Sequence, residues 1–342
     1  MRNLDLAGLL PCSLLGLLLA VAACAPGSGA PSERTRDLGP GPLFTAQDPW
    51  NDDVSTLPPS ESSSAITAWL RDHGGFGSGA FRVDFSLTVL TADATTPRRP
   101  FVATSQFYVP DCDHVPIPVP SNGALEGESG YRCDHDGDCH LLVVDPASSR
   151  LFELWRADIS PAGAFTGGCA AVWQLDRSYP PNLRGDGCTS ADAGGFPISA
   201  LLATADEVAA GEIRHALRLI LPNDRIRAGV YVHPGTHSTA PTRGGADAPP
   251  YGVRMRLRES FPLGQLSSGA QVIARAMQRY GLFLVDGGTI ALTVASDRFA
   301  SHAWKDLGVD ERSLTSITPT DLEVVAMGEP IEYTGNCVRN PM

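Results

Sequence analysis

Period-two alternation of apolar and polar residues, broken every few residues by glycine or proline, constrains this chain most. "FRVDFSLTVL" (Phe81–Leu90) and "FVATSQFYV" (Phe101–Val109) both alternate, the pattern of strands with one face buried. "HLLVVD" (His140–Asp145) and "RLFELW" (Arg150–Trp155) flank the turn-forming "PASS" and predict a hairpin. "GVYVHP", "VRMRLRESF", "LFLVD" and "TIALTVAS" follow, each bounded by Gly or Pro. Many short strands at modest spacing predict a mainly β fold: an antiparallel β-sandwich or barrel-like domain with a few short helices.

Two helices are predicted with more definition. "SSSAITAWLRDHGG" has a polar start and a Gly stop. "SSGAQVIARAMQRYG" places Val272, Ile273, Ala276, Met277 and Tyr280 on one stripe, with Ser267 or Ser268 as cap and Gly281 as stop.

The N-terminus fixes a location. "MRNLDLAGLLPCSLLGLLLAVAAC" has one positive residue, Arg2, before an apolar run too short to span a bilayer, which reads as an export signal. The run ends in "VAAC", the bacterial lipobox pattern, and predicts acylation of Cys24 and a membrane partner through that anchor. Residues 1–23 are therefore the lipoprotein signal peptide. Residues 24–42, rich in Pro, Gly and Ser, form a flexible tether, and residues 43–335 form a single β-rich domain at the cell envelope. The formal net charge of -12 argues against a nucleic-acid partner, which needs a basic face.

Six cysteines remain beyond Cys12 and Cys24, an even count that predicts disulfides in an exported chain. Cys169 with Cys188 is the favoured pair, because the two flank one strand-like segment. "CDHDGDC" carries Asp134, Asp136 and Asp138 at alternate positions around Gly137, a spacing of oxygen ligands that suits Ca²⁺. The alternative is a solvated acidic turn closed by Cys133 and Cys139.

The densest polar run is "DEVAAGEIRHALR" (Asp206–Arg218). "TADE" (Thr204–Glu207) matches a capping box, which gives Glu207 a local structural task. In "EIRHALRLIL", alternation puts Ile213, His215, Leu217 and Leu219 on one face, toward the core. Glu212, Arg214 and Arg218 fall on the other, where exposed ion pairs contribute little. "GDGCTSADAGGFPI" adds Asp186 and Asp192 in a Gly-rich loop, and "PGTHSTAPTRGGADAPPYG" predicts an exposed loop. In "YVHPGTH", Pro234 and Gly235 forbid the helix that makes HxxxH a zinc motif.

Taken in order, "HLLVVD…RLFELW", "AVWQLD…GCTSADAGGFPI…DEVAAGEIRHALRL", "YVHPGTH", "YGVRMRLRESFP" and "ARAMQRYGLFLVDGG" resemble a family of secreted actinobacterial and myxobacterial proteins of unknown function. The resemblance spans roughly residues 100–330. Cys188 and His233 stand where that family usually has Trp, which counts against any aromatic platform the family uses there. The resemblance implies no reaction; it directs attention to Asp192, Glu207, His215, Arg218, His237 and Asp286. Two functions are compatible with these residues. One is a glycan hydrolase with Asp192 and Glu207 or Asp286 as acid and base, tuned by His215 or Arg218. The other is a non-catalytic surface module that binds a polysaccharide or a partner protein.

Overall fold

A computed structural model describes residues 42–325 and 327–341. The export signal, Cys24 and the tether up to residue 41 lie outside the described residues. The chain is mostly strand with few helices, arranged in several sheets, and among the described residues no sheet closes into a barrel.

Ten strands form the two larger sheets: β1 (Val83–Leu87), β2 (Val89–Thr91), β3 (Leu141–Asp145), β4 (Arg150–Leu154), β5 (Ala170–Gln174), β6 (Leu217–Leu221), β7 (Arg254–Leu257), β8 (Leu282–Gly287), β9 (Leu292–Ala295) and β10 (Leu322–Val325). The six-stranded sheet runs β1-β9-β6-β8-β7-β10 and the four-stranded sheet β5-β4-β3-β2. The antiparallel expectation holds only in part, because β1 runs parallel to β9, β6 to β8 and β2 to β3. Parallel pairing brings together strands distant in sequence, which short-range alternation cannot reveal. The expected hairpin forms, with β3 and β4 antiparallel and Asp145 opposite Arg150.

Helix α1 (Ser63–Asp72), helix α2 (Ala205–Ala210) and helix α3 (Ser268–Arg279) punctuate the strands. Ser267 caps α3 by accepting from the Ala270 amide, and Val272, Ile273, Ala276 and Met277 are buried as the stripe predicts. Those residues join Leu217, Leu219, Leu282 and Leu284 in the largest apolar cluster, on one face of the six-stranded sheet. Phe283 and Val285, on the other face, share a second cluster with Val144, Leu151, Ala171 and Trp173 of the four-stranded sheet. Leu141, Val143, Phe152 and Leu154, on that sheet's far side, sit in a third. The central strands are thus covered on both faces, and β6 is buried at all five residues.

This double cover corrects the expectation for Arg218. It does lie opposite Leu217 and Leu219, but that face looks onto the second cluster rather than onto water, and Arg218 is only 2% exposed. The strand is also shorter than the alternation predicts, covering Leu217–Leu221 alone. Exposed Glu212 pairs with Arg279 instead of a neighbouring strand. The segment after Pro234 meets the exposed-loop expectation only in its middle, where most of residues 240–247 are exposed, while Thr236, Ser238 and Tyr251 on either side are fully buried.

The disulfides are Cys112–Cys169, Cys133–Cys139 and Cys188–Cys337. The favoured Cys169–Cys188 pair is therefore corrected. From Cys169 the extended strand β5 carries the chain away at about 3.3 Å per residue. Cys188 lies beside the C-terminal segment, where Val338 N donates to Asp186 O at 2.8 Å.

Candidate functional site

The polar residues named from sequence separate into distinct networks. The first is built on Arg218, whose Nη2 donates to Asp192 Oδ1 at 2.5 Å and to Asp286 Oδ2 at 2.6 Å, while Nη1 donates to Thr293 Oγ1 at 3.2 Å. Arg218 comes from β6 and Thr293 faces it across the antiparallel pair with β9. Asp286 reaches the group through a register shift. Leu219 pairs with Leu284 but Ile220 pairs with Asp286, so β8 has one extra residue there. Such an irregularity re-aims a side chain, and Asp286 turns toward the face of Arg218 instead of following Leu284.

Asp192 arrives from the Gly-rich loop. Ser190 Oγ accepts from the Asp192 amide at 3.0 Å and donates to Phe196 O at 2.7 Å, so the loop folds on itself. Gly194 N donates to Val285 O at 2.7 Å and pins the loop on β8. Gly195 has φ of +85°, and a Cβ there would lie 2.0 Å from Thr236 Oγ1; this position demands glycine.

Asp192 is 1% exposed and its Oδ2 has no hydrogen-bond partner. Burial lifts its pKa to about 7 against the pull of Arg218, and the Asp286 charge adds to the rise. Asp286 is also raised, by burial first. Burial alone would lower Arg218, yet the two carboxylates hold its proton above the usual arginine range.

Beside this group stands a pair no motif announced. His140 is buried, with Nδ1 2.6 Å from Glu126 Oε2 and Nε2 2.9 Å from Ala191 O, next to Asp192. Burial opposes the charge on each, but their mutual attraction prevails: His140 rises to about 9 and Glu126 falls to about 2. A second unannounced acid, Glu153 of β4, is fully buried and accepts from Trp173 Nε1, Ile198 N, Ser199 N and Ser199 Oγ at 2.8–3.1 Å. Burial raises its pKa despite those four donors.

Glu207 and His215 form a separate pair and share no partner with Arg218. Thr204 Oγ1 accepts from the Glu207 amide, and the Glu207 carboxylate accepts from the Thr204 amide, so the capping box is present as read. Glu207 Oε1 also lies 3.2 Å from His215 Nε2, and His215 Nδ1 donates to Ala216 O at 2.8 Å. Burial would lower His215, but the Glu207 carboxylate raises it. His237, the remaining residue, bridges Ala193 O and Tyr333 Oη at 2.7 Å each.

The calcium reading meets the wrong geometry. Asp134 lies 3.5 Å from Arg132, Asp136 lies 3.4 Å from Arg156, and Asp138 accepts from Trp155 Nε1 at 2.9 Å. Three carboxylates held by three separate donors do not converge as a calcium cage requires. The inner side of the turn already holds an anion, since the amides of Asp134 and His135 both donate to Glu128 Oε1 at 2.8 Å. Among the described residues one group has metal-ligand spacing, Glu128 with Cys133 and Cys139, and its two sulfurs are joined in a disulfide.

One cavity of about 310 Å³ has Arg150, Arg177, Arg184 and Arg339 in its wall. These arginines are scattered along the chain and carry no motif, so only folding assembles them. Comparison of the chain with protein-family models, characterised proteins and solved structures finds no match.

Proposed function

We propose that this protein is a lipid-anchored module of the bacterial cell envelope that binds a glycan without hydrolysing it. The observation that turns this reading from hydrolysis to binding is the burial of Asp192 and Arg218. Glycoside hydrolysis needs two carboxyl groups facing the sugar, one of them reaching the glycosidic oxygen. Asp192 and Arg218 are 1% and 2% exposed, and Arg218 occupies the space a substrate would need between Asp192 and Asp286. Glu207, the other candidate partner, is committed to its cap and to His215. The polar cluster is read as a core element that fixes the Gly-rich loop to β6 and β8.

Three disulfides fit an oxidising compartment, and the "VAAC" sequence ending at Cys24 supports acyl anchoring there. We read the two large sheets, which share one apolar cluster, as a sandwich that presents the binding surface.

The test uses full-length protein and a panel of cell-wall and plant polysaccharides. The expected result is retarded migration of the protein in gels containing a bound polysaccharide, with no reducing ends released. Release of reducing ends that disappears in Asp192→Asn overturns the reading in favour of a hydrolase. Unretarded migration across the whole panel overturns glycan binding.

A further inference from the structure

We infer that the arginine-lined cavity is the recognition site for the oxyanion of an acidic sugar unit, a carboxylate or a phosphate ester. This deepens the binding-module reading and rests on it. A volume of about 310 Å³ lies at the small end of ligand sites, which begin at roughly 300 Å³. It suits one sugar unit rather than a polymer segment.

The charge balance in the wall is opposite to that of the whole protein. The chain carries a net charge of -12, yet the cavity gathers four arginines and, among the described residues, one carboxylate, Asp113. Asp113 is divided between two of them, with Arg184 Nη2 at 2.7 Å and Arg339 Nη2 at 3.0 Å. Among the described residues, Arg150 and Arg177 have no carboxylate partner; Arg177 lies over the Tyr179 ring at 5.0 Å. Arg150 and Arg177 therefore bring to the wall positive charge that no carboxylate among the described residues pairs.

Arg184 supplies the observation that points to a ligand. Its side chain is 3% exposed, and its Nε and Nη1 are buried with no hydrogen-bond partner. Buried N–H groups are normally satisfied, and a guanidinium presents its donors as a fork that matches a carboxylate or a phosphate. Both atoms are closed to solvent in this structure, so a small rotation of the Arg184 side chain would bring them to an oxyanion in the cavity. Burial lowers Arg184 to about 10, so the group stays charged at neutral pH.

The wall is also pre-organised. Arg150 stands at the start of β4, and Gln174, another lining residue, ends the neighbouring β5. The C-terminal segment closes one side with Arg339 and Asn340. Asn340 N donates to Arg184 O at 2.8 Å, and the Cys188–Cys337 disulfide ties the same segment down. Gly187, with φ of +73°, would place a Cβ 2.1 Å from Asn336 O, so the close approach of the two segments requires glycine.

Titration calorimetry of the full-length protein in non-ionic detergent at low salt tests the site, with glucuronate, glucose 6-phosphate and glucose as probes. An acidic sugar should bind and glucose should not; the tighter of the two acids identifies carboxylate or phosphate as the preferred group. Added salt should weaken the binding. Arg150→Gln, at an exposed position, combined with Arg177→Gln, at a half-buried one, should lower affinity about tenfold or more without changing the melting temperature. Arg184→Met should abolish binding, and this double substitution carries the test if that variant does not fold. Equal binding of glucose, no binding of either acid, or unchanged affinity in the double substitution overturns the inference. A positive polysaccharide gel shift that survives the double substitution would sink this site alone and leave the binding-module reading standing.

Discussion

Asp192 and Asp286, ninety-four residues apart in sequence, accept hydrogen bonds from the same nitrogen, Arg218 Nη2, at 2.5 Å and 2.6 Å. One guanidinium thus ties a Gly-rich loop and two parallel strands together inside the protein. The outward-facing charge expected of Arg218 becomes the centre of a buried network.

Replacing that centre should be costly. Arg218→Leu leaves two carboxylates in the interior without their counter-charge, and loss of one partner of a buried pair costs about 3–5 kcal/mol. Urea denaturation of the variant should show that loss. Combining it with Asp192→Asn and Asp286→Asn should recover much of it, because the uncompensated charges are then gone. A loss below about 1 kcal/mol for Arg218→Leu would show that the network contributes no more than a surface pair.

The His140–Glu126 pair predicts a two-sided pH dependence. His140 rises from 6.5 to about 9 in the folded protein, so its contribution is complete below pH 6.5 and is lost as pH climbs through about 9. Glu126 falls from 4.5 to about 2, so its contribution is complete above pH 4.5 and is lost as pH drops through about 2. Their joint stabilisation is greatest between 4.5 and 6.5. In His140→Gln the alkaline decline between 6.5 and 9 should flatten, as followed by thermal melting across pH. An NMR titration that places His140 near its ordinary value would contradict the pairing.

Calcium should leave the melting temperature where a chelator leaves it. Asp134, Asp136 and Asp138 are engaged by Arg132, Arg156 and Trp155 respectively, and gathering them around an ion would break three contacts. A calcium-dependent rise in melting temperature that Asp136→Asn removes would show that the turn rearranges to bind.

Anchoring is tested apart from the fold. Growth with labelled palmitate should mark the protein, and Cys24→Ser should abolish the label and release the protein from membranes. Unlabelled wild-type protein would refute acylation.

How far the sequence could be read follows from the range of each interaction. The capping box of Thr204–Glu207 is complete within four residues, and it forms as read. The α3 stripe and the β3–β4 hairpin are likewise set by periodicity and a nearby turn, and both are present. Alternation also placed His215 correctly among buried residues.

Alternation reports which side chains share a face, but not what covers each face. It therefore gives Arg218 the correct side of β6 but not its surroundings: α3 covers one face, and the second apolar cluster covers the other. Asp286 escaped even that parity rule, since a single register shift between β6 and β8 reverses its direction. Glu153 is a lone acid in "RLFELW" with no motif beside it, yet it is buried with four donors around it.

By itself the sequence determined the β-rich character, the local caps and the need for disulfides, because each depends on composition or on neighbours within a few residues. Only the tertiary structure decided that Cys188 meets Cys337, that Asp192 and Asp286 share Arg218, and that four scattered arginines line one cavity. Those relationships join segments tens to hundreds of residues apart, and the packing of one sheet against the other sets them.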